Sequence, residues 1–154
     1  MADIYAISIT VIMVNKEGKF LIAKRSGELL RWPNKWAVPG GKLEKKDFFY
    51  NNHNVIENVA RREVKEEVGL DLGEIKYLTN MAFIREDKNP YLIISLYSGD
   101  FKGEIKLNEE LTEYKWVSLK EAKNYDLIEG IYEELKIVDK KLKGMKERGA
   151  RKYD

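Results

Sequence analysis

Three glutamates crowd one stretch of this chain, Arg62-Glu63-Val64-Lys65-Glu66-Glu67-Val68-Gly69-Leu70. Residues three and four apart are neighbours on a helix surface, so Glu63, Glu66 and Glu67 share one flank of a helix. Like charges this close destabilise a bare helix. A positive partner is therefore expected, and hard divalent cations such as magnesium bind carboxylate oxygens alongside substrate phosphates. Ile56, Ala60, Val64 and Val68 recur every four residues and form the stripe that buries the helix. The spacing predicts a start at Asn54, with Glu57 completing an Asn-x-x-Glu variant of the capping box, and a stop at Gly69. The glutamates flank the stripe and can reach a cleft at the edge of the core.

Upstream, Trp36-Ala37-Val38-Pro39-Gly40-Gly41-Lys42-Leu43-Glu44 reads as a strand running into a double-glycine turn. Glycines let a backbone turn tightly and approach a ligand or metal closely.

Together these segments resemble the signature of the Nudix hydrolases (MutT-like), G-x5-E-x7-R-E-U-x-E-E-x-G-U with U aliphatic. Gly41 matches the first glycine, and Arg62, Glu63, Val64, Glu66, Glu67, Gly69 and Leu70 match every fixed position of the second half. The middle departs from the pattern. Strict spacing from Gly41 puts the first glutamate at Asp47 and the arginine at Val55; the real arginine is Arg62, an insertion of about seven residues inside the box. Counting back from Arg62 instead lands on Asn54. The family's glutamate supports the arginine and the loop, so its absence bears on loop rigidity more than on metal binding.

The resemblance implies an α/β fold, the Nudix α/β/α sandwich with a mixed sheet. It implies hydrolysis of a nucleoside diphosphate linked to another moiety, most simply a nucleoside triphosphate. Magnesium, with manganese as the alternative, would be held by the Gly40 carbonyl and by Glu63, Glu66 and Glu67. Glu63 would also act as base, and Arg62 would orient a glutamate. Such sites commonly recruit one more acid from the loop before the Trp-Val strand, where Glu109, Glu110 and Glu113 are candidates and Glu110 is the first choice. For substrate binding the candidates are Arg25 and Lys42. Lys24 and Arg25 point to opposite faces of their strand, so only one can face a cleft, and arginine has the better fork for phosphate. Trp32, Trp36, Phe48, Phe49 and Tyr50 could stack on a base, although such residues are more often core or loop anchors.

Competing readings stay open: an ADP-ribose or nucleotide-sugar pyrophosphatase, an RNA 5′-end pyrophosphohydrolase, or a non-catalytic nucleotide-binding module. Isopentenyl diphosphate isomerases share the fold but use a cysteine, and this chain has none. Binding modules typically lose box glutamates, and all three stand here.

The remaining sequence bounds the setting. At 154 residues one domain is expected over 1–154. No cysteine excludes disulfides and thiol nucleophiles, and the single histidine, His53, excludes a multi-histidine metal site and reads as a surface residue before the helix. No run of about eighteen apolar residues exists, and the start Met1-Ala2-Asp3-Ile4 lacks a basic leader. A cytoplasmic protein without membrane partner is expected. Residues 139–154 carry seven Lys or Arg against three Asp or Glu, net +4. The tail 140–154 has no interleaved aromatics, so it reads as a frayed soluble helix end rather than a nucleic-acid contact. A second copy of the chain remains a candidate partner.

Along the chain, Ile4 to Val14 reads as a central strand buried on both faces, Asn15-Lys16-Glu17-Gly18 as a hairpin turn and Lys19 to Arg25 as the return strand. Lys45 to His53 reads as a loop without helical period, its aromatics Phe48-Phe49-Tyr50 expected to pack on the domain, on a subunit partner, or over the substrate cleft as a lid. Ile75 to Arg85 and Tyr91 to Asp100 form a second hairpin, Tyr114 to Ser118 a short strand, and Leu127 to Leu142 a helix.

Overall fold

The computed structural model describes residues 5–153, with side chains described for 5–146. The expected strand start at Ile4 and the side-chain charges of the tail beyond Lys146 lie outside the described residues.

The apolar run near the start becomes β1 (Ala6–Met13), the central strand of the larger sheet. Its alternation serves two cores at once. Ile9, Val11 and Met13 pack with Val59, Ala60, Val64 and Val68 of α1 (Val55–Val68). Ile12, on the other face, packs with Leu135 and Val138 of α3 (Ile131–Tyr153). The result is a sheet between helices, with each fully buried aliphatic side chain contributing about 2 kcal/mol.

Phe20–Arg25 is β2, reached by the predicted turn, in which Asn15 Oδ1 accepts the amides of Glu17 and Lys19 and Gly18 takes a left-handed φ of 79°. Trp36–Ala37 is β3 and Gly40–Lys42 is β4. Asp71–Leu72 is β5, Lys76–Ile84 β6, Pro90–Ser98 β7, Phe101–Lys102 β8 and Leu111–Val117 β9. The larger sheet is ordered β4-β1-β7-β6; β1 and β7 run parallel and the other pairs antiparallel, so it is mixed as expected. An antiparallel sheet β3-β2-β9 and a small pair β5-β8 complete the strands. Ser118 and Glu121 cap the short α2 (Leu119–Ala122) reciprocally.

Five local expectations are corrected. Asn54 does precede α1, but in the left-handed conformation at φ 58°, and its side chain makes no capping bond, so Glu57 completes no box. The glycine pair is strand rather than turn: Gly40 and Gly41 pair with Thr10 and Ile9 of β1. The segment after Glu44 opens with a short 3-10 helix, Lys45–Asp47, because Asp47 and Glu44 cap each other. Phe48, Phe49 and Tyr50 do not pack on the domain; they are 64%, 63% and 92% exposed. The last helix starts at Ile131 and runs to Tyr153, so residues 140–153 continue it rather than fray. No helix among the described residues is long and apolar enough to cross a membrane.

Candidate active site

A cleft of about 690 Å³ opens between the β1/β7 face of the larger sheet, the β2–β3 loop, the last turn of α1 and the start of α3. Gly40, Lys42, Glu63, Glu67, Arg25 and Glu110 all line it. Residues far apart in sequence thus meet in one place.

The glycine pair makes room for this meeting by its missing side chains. A Cβ on Gly40 would stand 2.4 Å from the Ile9 carbonyl oxygen, and one on Gly41 would stand 2.3 Å from Glu63 Cδ. Neither glycine has positive φ, so close approach, and not a turn, is what requires them. Gly40 donates its N–H to Glu67 Oε2 at 3.2 Å.

Glu63 is 9% exposed, deeper than a flank position suggests. Burial raises its pKa, and the neighbouring Glu66 raises it further, while Arg62 acts in the other direction. Glu67 is pushed up to about 8, first by burial and then by the charges of Glu63 and Glu110, against the Gly40 N–H and Arg25. Glu66 is exposed and stands outside the cleft lining, acting on Glu63 through its charge.

Arg62 lies behind the cleft. It donates to Asp47 Oδ1 at 2.6 Å and Oδ2 at 3.2 Å, and to Glu63 Oε1 at 3.3 Å. Asp47, itself buried, has its pKa lowered chiefly by this bond. The support that seemed missing from the box is present, supplied by Asp47 at the family's spacing from Gly41. The extra residues enter after it, and Asn52 ties them back by donating to the Asp47 carbonyl at 2.7 Å.

Of the three acids before the Trp-Val strand, Glu110 is the one whose charge reaches Glu67. Glu113 instead pairs with Lys24 at 3.9 Å. Arg25 faces the cleft, as strand alternation allowed, but its Nε and Nη2 donate to the Arg31 carbonyl at 3.2 and 2.9 Å. It therefore also shapes the β2–β3 loop. The Lys42 ammonium has its pKa lowered by burial and by the nearby cations Arg85 and Arg31, and it lies 5.8 Å from the centroid of Tyr91. Trp32 lines the cleft; Trp36 is core, edge-on to Tyr125, and His53 is on the surface.

The donor set is carboxylates and backbone, which suits a hard divalent cation and not a soft one. Among the described residues no three acidic or histidine groups stand close enough to hold an ion as placed. The crowding itself fits one: burial and like charges disfavour the charged form of Glu67, the penalty a bound cation removes.

Two features of the site were not anticipated, Asp47 behind the cleft and Glu134 in its lining. Asp47 had a signal, its spacing from Gly41. Glu134 had none, being one acid in the first turn of a polar helix.

The NUDIX domain family model matches residues 4–137. A nucleoside triphosphatase NudI from Klebsiella pneumoniae is 30% identical over 131 residues, covering 75% of this chain and 84% of that protein. One from Escherichia coli is 32% identical over 127 residues, with the same coverage. Among solved structures, a MutT protein from Methanosarcina mazei superposes with a TM-score of 0.74 at 25% identity, covering 93% of this chain and 99% of that one.

Proposed function

The chain belongs to the NUDIX hydrolase family, and from that premise we propose that it is a nucleoside-triphosphate pyrophosphohydrolase built as one domain. The observation that carries the reading is Glu67. Its carboxyl rests on the Gly40 amide, buried and crowded by Glu63 and Glu110, at the floor of a cleft large enough for a nucleotide. The nucleoside triphosphatase relatives support the substrate class.

Glu63, Glu66, Glu67 and the Gly40 carbonyl, joined by Glu110, would hold magnesium or manganese. Such an ion neutralises phosphoryl charge and lowers the pKa of a bound water. The chain's own residues supply position and proton transfer. Arg62 fixes the Glu63 carboxylate from behind, and Asp47 fixes Arg62. Glu63 takes the proton of the attacking water as its oxygen bonds to phosphorus. The bond between the α- and β-phosphates breaks, and pyrophosphate leaves with the electron pair. Arg25 and Lys42 bring positive charge to the phosphates.

A phosphate-release screen over nucleoside triphosphates, nucleotide sugars and dinucleoside polyphosphates, with magnesium present, tests the reading. Nucleoside triphosphates are expected to turn over fastest. Faster turnover of a nucleotide sugar would overturn the assignment while keeping the family.

A further inference from the structure

At the α3 end of the cleft stands an acid that hydrolysis does not use. Glu134 lines the cleft, and its Oε1 accepts from Ser95 Oγ at 2.7 Å. Ser95 is 0% exposed and in turn accepts from Thr10 Oγ1 at 3.1 Å. The two hydroxyls donate in one direction, Thr10 to Ser95 to Glu134, and so fix the carboxyl from the sheet side. Among the described residues, burial raises the pKa of Glu134 and Ser95 opposes that, with no charged neighbour acting on it. Glu67, by contrast, feels Glu63 and Glu110. Of the acids that line the cleft, Glu129 stands nearest to Glu134 in the chain, yet Glu134 lies outside the crowd that forms around Glu67.

Glu134 sits among apolar walls. Ile93 lies two residues before Ser95 on the same face of β7, and Met81 pairs with Ile93 across the sheet. Ile128 and Ile131 line the facing wall, and a Cβ on Gly130 would lie 3.8 Å from Met81 Cε. Apolar walls with one fixed hydrogen-bonding edge suit a heterocycle that is read along its rim. An ionised carboxyl whose one oxygen already accepts from Ser95 takes an N–H at the other, and a carbonyl placed there would face it lone pair to lone pair. Amine-bearing bases meet that demand, as carboxylates do when they accept from the cytosine amine.

We infer that Glu134 reads the nucleobase, selecting bases with an exocyclic amine beside a ring nitrogen over bases with a carbonyl there. The inference rests on the reading of the cleft as a nucleotide site. Thr10 and Ser95 are positioning residues for Glu134.

The test compares kcat/KM for CTP and UTP, which differ only in that amine and its ring nitrogen. The wild type is expected to favour CTP by roughly tenfold or more, within the range of one base-edge pair. In Glu134→Gln the preference collapses, because an amide can donate or accept and serves either base. Ser95→Ala shrinks it partly, through KM and with kcat kept. Equal use of CTP and UTP by the wild type overturns the inference, as does a preference that survives both variants. If Glu134→Gln fails to fold, the wild-type ratio and Ser95→Ala decide. If neither triphosphate is cleaved, the hydrolase reading fails separately, and calorimetry with CMP and UMP takes over. Tighter CMP binding that Ser95→Ala weakens supports the role of Glu134; equal binding, or none, overturns it.

Discussion

Arg62 holds Asp47 by two hydrogen bonds, at 2.6 and 3.2 Å, across fifteen positions of chain that contain the whole insertion. Asp47 thereby takes the part of the box glutamate, with a side chain one methylene shorter. The 3-10 turn at Lys45–Asp47 carries it to the guanidinium. Arg62 then has one N–H for Glu63, while its Nε is buried without a partner, so it depends on Asp47 for placement.

Asp47→Asn should therefore act on both stability and rate. Removing one partner of a buried pair leaves the other charge uncompensated, and a loss of about 3 kcal/mol is expected in urea unfolding. Turnover falls with it, because Glu63 loses its backing. The pH dependence has a definite sign. The folded pKa of Asp47 is depressed, so its stabilisation is present above the unfolded value and is lost as pH falls through the folded one. The variant should lack that acid-side decline below about pH 4.

Glu67→Gln should separate stability from activity in opposite directions. The folded pKa of Glu67, about 8, lies above its unfolded value. Its carboxyl therefore weakens the metal-free fold progressively as pH rises from the ordinary carboxylate range toward 8. The glutamine variant escapes that penalty and should melt higher at pH 8 without metal, by an amount of the order of 2 kcal/mol. Its turnover should fall by orders of magnitude. Equal melting of the two proteins at pH 8 would contradict the buried, crowded environment.

Gly41→Ala tests the close approach. The new methyl would meet Glu63 Cδ at 2.3 Å, so the carboxyl must move while the strand pairing with Ile9 stays. A displacement of this size should cost about a hundredfold in kcat. Unchanged circular dichroism alongside the lost rate is the expected pair of results.

Glu110→Gln should lower activity at least about tenfold, more than Glu109→Gln or Glu113→Gln. Glu110 is the member of that loop acting on Glu67, whereas Glu113 is engaged with Lys24. Equal effects of all three variants would remove Glu110 from the site.

Much of this arrangement was legible in the sequence because it is local. The stripe on α1, the Asn15–Gly18 turn and the alternation of β1 follow from neighbours in the chain. The sheet order depends on pairings between distant segments, and the cleft wall from Ile128 to Glu134 comes from the far end of the chain. Glu134 illustrates the difference. Its place is set by Ser95, 39 positions away, which is itself held by Thr10 across β1 and β7. Ser8 and Thr10 were visible as polar exceptions in an apolar strand, yet nothing local said that their face lined a cleft. Asp47 was visible at the family spacing, but the insertion hid its role until Arg62 was seen to reach it. The three aromatics do not pack on the domain, because the short turn at Lys45–Asp47 and the tie from Asn52 fix the loop without them.

The claim that this cleft cleaves a nucleoside triphosphate is tested most directly by separating the products. Wild-type protein and Glu67→Gln are incubated with magnesium and CTP, and nucleotides and phosphates are resolved by anion exchange. The wild type is expected to yield CMP and pyrophosphate in equal amounts, and the variant neither at a comparable rate. CDP and orthophosphate as products, or the same CMP yield from Glu67→Gln, would contradict it.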